Sequence, residues 1–224
     1  VKLWKNDAEL FALAKKELFT CVVGDVMDKL GRYHQFLPPQ IQALREDMVV
    51  IGRALPVLSV DTTDPDAAMK KPFGRMLEAL DDLKPHEVYV NTGSSPRNAL
   101  WGGLMSTRAL KLGAAGVVVN GYTRDTREIY QLNFPTFGFG RYGQDSAPRY
   151  KVVDFRVPVE IGKVRIEPGD IIYGDIDGVL VVPRDVEEEV FRGALEKARG
   201  EKTVRKAIEA GMSACEAFKK YSIM

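Results

Sequence analysis

Residues 116–125 read GVVVNGYTRD, and this stretch decides the fold. Val117, Val118 and Val119 form a short apolar, β-branched run, the pattern of a strand buried on both faces. Asn120 closes the run, Gly121–Arg124 reads as a loop, and Asp125 starts a helix that runs to Gln131. The segment before it repeats the order. Glu87–Asn91 is a strand, Thr92–Gly103 is a loop rich in Gly, Ser, Pro and Asn, and Leu104–Leu112 is a helix stopped by Gly113. Pro135–Phe139 supplies a further short strand. Alternation of this kind builds parallel, right-handed crossovers, so the fold class is α/β.

Upstream, Asn6 or Asp7 caps a helix running to about Phe19, with Leu10, Leu13, Ala14 and Leu18 on one stripe. Thr20 caps a second, short helix carrying Val22, Val23, Val26, Met27 and Leu30, and Gly31 stops it. Residues 32–47 are loop. Met48–Val60 has high β-propensity, interrupted by Gly52 and Pro56. Asp61–Pro72 is a loop, and Phe73–Leu80 a short helix. Downstream, Val153–Ile161 and Lys163–Ile166 read as a hairpin about Gly162, and Glu167-Pro168-Gly169-Asp170 is a turn. Ile171–Tyr173 and Val179–Val182 are strands. Asp185 caps a long polar helix over Val186–Ala210, and Ser213–Tyr221 is a terminal helix. No repeat or linker is visible, so the expected organisation is one domain over residues 1–224, with mixed sheet, flanking helices and a long C-terminal helix.

Charge and composition narrow the partners. Lys and Arg total 32 against 31 Asp and Glu, so there is no basic footprint for nucleic acid. Two Cys and two His cannot make a Cys/His zinc site, and Cys21 and Cys215 read as reduced thiols of a cytoplasmic protein. No apolar run of about 18 residues is present, so no membrane span is expected. The first nineteen residues mix acids among their apolar positions, unlike a signal peptide.

Chemistry is expected where both strand–helix turns meet. Trp101-Gly102-Gly103-Leu104-Met105 and Gly121-Tyr122-Thr123-Arg124-Asp125 each follow a strand and precede a helix. Ligands of α/β sheets collect at the carboxyl ends of strands. Gly102-Gly103 bares backbone N–H groups at a helix start, which donate to anions. Arg124 brings a planar fork for a carboxylate, and Asp125 an oxygen ligand for Mg²⁺. Spacing alone reads equally as two helix caps and a surface ion pair.

Other residues read mainly as structure. Asp25 and Asp28 lie one turn apart, facing an interface pocket or complementing a helix start. Asp170, Asp175 and Asp177 bound turns, since no Glu closes a twelve-residue calcium loop. His34 and His86 read as surface or loop residues. Trp101 packs the core, an interface or a pocket wall. Arg141, Tyr142 and Arg149 lie in a loop from which a substrate contact is open. Glu187-Glu188-Glu189 is a solvated first turn, and Lys197–Lys206 a basic helix face.

From Gly103, twenty residues lead to Arg124-Asp125, and two more to Glu128, giving G-x20-R-D-x2-E. With TCVVGDVMDKLG at 20–31 and PGDIIYGDIDGVLVVP at 168–183, the chain resembles the RraA-like family over about 18–195. That family includes the 4-hydroxy-4-methyl-2-oxoglutarate aldolases. The resemblance implies a swivelling β/β/α fold, a homotrimer or hexamer with sites at subunit interfaces, and cleavage of small 2-oxo acids to pyruvate with Mg²⁺ or Mn²⁺. Oxaloacetate decarboxylation is the implied companion activity. Carried over by position, Arg124 binds the pyruvyl carboxylate and enolate oxygen, and Asp125 holds the metal. The amides of Leu104 and Met105 contact the carboxylate, and Glu128 stands behind the metal or holds its water. The family's aldolases carry an acid where Gly103 stands. Its absence predicts decarboxylation in preference to aldol cleavage. The alternative implied function is that of a regulator, binding a ribonuclease or another protein without chemistry.

Overall fold

The computed structural model describes residues 3–223, and these divide into two compact units. One is built from the two ends of the chain, up to Tyr33 and from Val186. The other is His34–Asp185.

The terminal unit is helical. Helix α1 (Asp7–Glu17) starts at Asn6, whose side chain accepts from the Glu9 amide, and it buries Leu10, Phe11 and Ala14. Phe11 takes the core position expected of Leu13. Helix α2 (Thr20–Lys29) buries Val22, Val23, Val26 and Met27. Phe19, not Thr20, stands at its N-cap.

The larger unit begins with β1 (Gln42–Ala43) and the long β2 (Val50–Asp61), then α3 (Pro65–Lys70), β3 (Phe73–Gly74) and α4 (Met76–Asp81). The loop expected over 61–72 thus contains a helix, capped by the Asp64 side chain on the Ala67 amide. Next come β4 (Glu87–Thr92), β5 (Ala99–Trp101), α5 (Gly103–Lys111), β6 (Gly116–Val119), β7 (Tyr122–Thr123), α6 (Thr126–Leu132) and β8 (Thr136–Gly138). The unit ends with β9 (Tyr150–Phe155), β10 (Val159–Ile161), β11 (Val164–Ile166), β12 (Ile171–Asp175) and β13 (Gly178–Val182). The strand expected over 153–161 is two strands, β9 and β10, that belong to different sheets.

Nine strands form one mixed sheet, with the path β1-β8-β6-β4-β2-β12-β13 and β9 and β3 attached beside β2. Strands β2, β4, β6 and β8 run parallel, as the strand–helix alternation requires. They read as continuous apolar runs because both faces are buried: Val88, Tyr89 and Val90 of β4 and Val117–Val119 of β6 are all inaccessible. Strand β2 bonds β4 along one side and changes partner along the other, from β12 at Val50–Arg53 to β9 at Val57–Asp61. Pro56 falls at that change of partner, so a central strand tolerates a residue without an N–H. The edges are covered by one piece of chain. Leu37 N donates to Val179 O (2.8 Å) and Val181 N to Gln35 O (2.9 Å) on β13, and β1 pairs with β8 a few residues later. Five residues span at most about 18 Å, so the two edges curl toward one another, and neither is left open to pairing.

Returning to the terminal unit, α7 (Glu187–Glu209) has Val186 rather than Asp185 at its N-cap, and α8 (Ala214–Tyr221) starts with a Ser213–Glu216 capping box. Asp25 pairs with Lys197 Nζ (2.7 Å), a contact between α2 and α7. Cys21 and Cys215 are exposed and are not joined in a disulfide. Among the described residues no helix is long and apolar enough to cross a membrane.

Gly52 shows how tightly the sheet is set. A Cβ there would strike the His86 carbonyl oxygen and lie 3.0 Å from the Ala115 Cβ. Gly52→Ala is therefore expected to cost about 1–3 kcal/mol, read as a lower urea midpoint at unchanged slope.

Candidate functional site

The glycine pair and the Arg-Asp pair lie side by side because of two short strands that the sequence did not announce. Strands β5 and β7 form a parallel ribbon, with Ala99 opposite Tyr122 and Trp101 opposite Thr123. Arg124 N donates to Trp101 O (2.9 Å). One step further, Gly103 N donates to Asp125 Oδ2 (3.0 Å). The twenty-residue spacing is thus a strand register: it sets α5 and α6 starting next to one another, with Arg124 and Asp125 at the seam.

Asp125 occupies the N-cap position of α6 in the left-handed region (φ 57°, ψ 35°). Its side chain does not cap its own helix. It caps α5 instead, through Gly103. Left-handed backbone is costly for most residues and least so for Asn and Asp. The conformation turns the carboxylate out of α6 and toward α5.

At both glycines a side chain would crowd the neighbouring acids. A Cβ on Gly102 would lie 2.6 Å from Asp125 Oδ2 and 3.4 Å from Arg124 Cγ. A Cβ on Gly103 would collide with Glu128 Oε2. Glu128 lies in the first turn of α6, its amide bonded to Asp125 O (2.9 Å). Its carboxylate fills the volume that a side chain at position 103 would take. The Glu128 carboxylate thus stands where the acid of the family's aldolases would project from position 103.

Arg124 is a little over a third exposed and extends to Asp145, with Nη1 3.1 Å from Oδ1. Its Nε lies 3.8 Å from Asp125 Oδ2. Asp145 carries no spacing signal in sequence. It comes from the irregular segment after β8, held by Arg149, whose Nη1 donates to Asp145 O (2.8 Å). Arg149 therefore supports the loop, and Arg141 donates to the Tyr130 hydroxyl (2.9 Å). Trp101 is buried, stacked near Phe134 and tilted against Tyr89, with Nε1 donating to Ser106 Oγ (2.7 Å). It packs the core and also forms part of the cleft floor.

These groups open on a cleft of about 340 Å³ bordered by Gly102, Leu104, Met105, Arg124, Asp125 and Asp145. Leu104 and Met105 carry first-turn amides of α5, which have no intrahelical partner. The turn aspartates lie elsewhere: Asp170 accepts from the Glu167 and Arg184 amides, and burial pushes its carboxyl above the usual range. Asp175 accepts from Asp177 N in the β12–β13 turn.

Among the described residues no group of three or more His, Cys, Asp or Glu could enclose a metal ion. The donor set fits an open site. Asp125 and Glu128 bring hard carboxylate oxygens to adjacent places in the space left by two glycines. Mg²⁺ is commonly held by one or two carboxylates, with water and substrate oxygens completing its shell.

The RraA-like family (Aldolase/RraA) matches residues 20–181, and the chain belongs to it. It is 32% identical over 200 residues to a Halalkalibacterium halodurans protein named "Putative 4-hydroxy-4-methyl-2-oxoglutarate aldolase", covering 89% of each. It is 29% identical over 200 residues to protein DlpA of Legionella pneumophila, covering 89% of this chain and 32%, about a third, of that protein's length. The Streptomyces coelicolor protein RraAS2, described as an unusual member of the RNase ES inhibitor RraA family, shares the fold: TM-score 0.77 at 24% identity, covering 90% of this chain and 98% of that one.

The packing of Glu128 against Gly103 can be tested without any assay of function. Gly103→Asp alone is expected to lower the melting temperature by about 2–8 °C, from overpacking against Glu128. Adding Glu128→Ala should recover most of the loss. A double variant no more stable than the single one would place Glu128 elsewhere.

Proposed function

We propose that the chain is a divalent-metal-dependent lyase that cleaves a small 2-oxo acid to pyruvate, of the 4-hydroxy-4-methyl-2-oxoglutarate aldolase and oxaloacetate decarboxylase type. The observation that carries this reading is the convergence on one cleft of the Arg124 guanidinium, the α5 first-turn residues Leu104 and Met105 and the Asp125 carboxylate, with Glu128 packed against Gly103 next to them. The aldolase name of a 32%-identical relative supports it.

In this reading the substrate carboxylate lies against Arg124 and the amides of Leu104 and Met105. Asp145 holds the guanidinium over the cleft until the substrate arrives. Asp125 holds Mg²⁺ or Mn²⁺, with Glu128 behind it or on one of its waters. The ion, when bound, supplies Lewis-acid polarisation of the 2-oxo group. Arg124 and the amides stabilise the negative charge that gathers on the ketone oxygen as the bond at C3 breaks. Glu128, beside Gly103, is the carboxylate at hand to orient the water that takes the hydroxyl proton in aldol cleavage. We further propose a homotrimer or hexamer, in which a neighbouring subunit completes the cleft.

A coupled pyruvate assay with oxaloacetate and with 4-hydroxy-4-methyl-2-oxoglutarate tests the reading. Pyruvate release should require Mg²⁺ or Mn²⁺, stop with EDTA and be lost in Asp125→Ala. Arg124→Ala should lower kcat/KM by about 10²–10³, and Arg124→Lys should rescue poorly because a point charge cannot replace the fork. No metal-dependent pyruvate from either substrate would leave a regulator that binds another protein as the better account.

Assembly is tested separately. Light scattering at micromolar concentration should give three or six times the 24.9 kDa chain mass. A stable monomer would remove the subunit-completed cleft.

A further inference from the structure

The cleft has a second wall that the pyruvyl chemistry does not use. Phe73, Met76, Leu77 and Leu80 line the same cleft, together with the side chains of Leu104 and Met105. Met76 and Leu80 are buried, but Leu77 is 59% exposed and Leu104 84% exposed, so large apolar side chains face solvent. A pyruvyl head fills only part of the cleft, and cavities of this size commonly accept larger ligands. Among the described residues bordering the cleft, Arg124 is the one cation, and Asp145 already lies 3.1 Å from it. The other charged groups there, Asp125 and Asp145, are acids.

The wall is also held in place. Phe73 has φ 69°, a left-handed conformation that is a genuine outlier for a bulky residue. It is fixed in β3, which pairs with β9. Met76 Sδ accepts from the buried Tyr150 hydroxyl (3.1 Å). Strain of this kind persists only where the surroundings over-determine it, and it clusters at ligand sites.

We infer that this wall receives an apolar substituent at C4 of the substrate, so that the preferred substrates are 4-hydroxy-2-oxo acids with an alkyl or aryl group there rather than a second carboxylate. The inference rests on the lyase reading for the position of the 2-oxo acid head. The head pairs with Arg124, and the tail lies along Leu77, Leu104 and Phe73. In the cleavage the C3–C4 bond breaks and its electron pair passes to the pyruvyl fragment, which takes a proton at C3. The C4 hydroxyl loses its proton and becomes the carbonyl of an apolar aldehyde or ketone. A distal carboxylate would be desolvated against hydrocarbon beside two acids, which is unfavourable.

Two unreactive 2-oxo acids of nearly the same shape test this. In 5-methyl-2-oxohexanoate the chain ends in two methyl groups on C5, and in 2-oxoglutarate, which has the same heavy-atom skeleton, in two carboxylate oxygens on C5. Titration calorimetry with Mg²⁺ should show the methyl compound binding about ten-fold tighter. Leu77→Lys, at an exposed position, should abolish or invert that order. Equal affinities, or tighter 2-oxoglutarate, in the natural protein would overturn the inference. An unmoved ratio in Leu77→Lys would overturn it too, and an accompanying fall in mass by light scattering would make the wall a contact between copies of the chain. Pyruvate itself separates the two levels. Pyruvate binding that depends on Arg124 without any tail preference removes only the apolar-tail inference. No binding by any of the three acids removes the lyase reading, and the inference with it.

Discussion

Two missing side chains organise the candidate site. Gly102 and Gly103 leave a volume at the start of α5 that two carboxylates from the neighbouring helix enter. Asp125 reaches the Gly103 amide, and Glu128 sits where a residue-103 side chain would be. The ribbon of β5 and β7 sets the alignment, and the backbone sets the ribbon. The relation between the two acids and the bare amides therefore depends on main-chain register. A change at either glycine would act on both acids through sterics, before any direct effect on a ligand.

Local rules are broken at this seam and kept around it. A residue at an N-cap ordinarily stabilises its own helix by about 1 kcal/mol. Asp125 forgoes that bond and adopts left-handed backbone to serve α5. Sequences that fold well are locally consistent, and departures gather at functional sites. Electrostatics points the same way. Two carboxylates brought together repel, and here they are balanced by the Arg124 guanidinium and by the positive ends of two short helices. In the proposed lyase a cation would sit at the acids and the substrate carboxylate at the arginine.

Much of the frame was legible in the sequence, because parallel strands buried on both faces are written as unbroken apolar runs. Glu87–Asn91 and Val117–Val119 stand out for that reason, and the helices after them follow from Gly113 and from the polar turn at Asp125. The ribbon strands were illegible. Strands of two or three residues, such as Tyr122–Thr123, bury no periodic face and leave no pattern. Phe73–Gly74 was hidden for the same reason inside a stretch that reads as helix. Val153–Ile161 reads as one strand because propensity does not register the turn at Arg156, whose backbone is left-handed (φ 56°). At the site, spacing marked Arg124, Asp125 and Glu128 but not the packing of Glu128 against Gly103. Asp145 was out of reach, since only the folded loop after β8 brings it to Arg124.

The two walls of the cleft are built by different means, and this bears on how far a family resemblance extends. The end with Arg124 and Asp125 is fixed by backbone register and helix starts. The apolar wall stands on α4, a helix of six residues, and on β3, tied to β9 by two pairs. Its side chains face a cleft rather than a packed layer, so Leu77 and Leu104 are free of the volume constraint that governs Val88 or Val118. Under the lyase proposal, recognition of the oxo acid head would be common to proteins that share the Gly103–Arg124–Asp125 spacing, while the group beyond it would be chosen by the short helix. Function read from the shared spacing reaches the head of the substrate, and function at the tail has to be read from the wall of each chain.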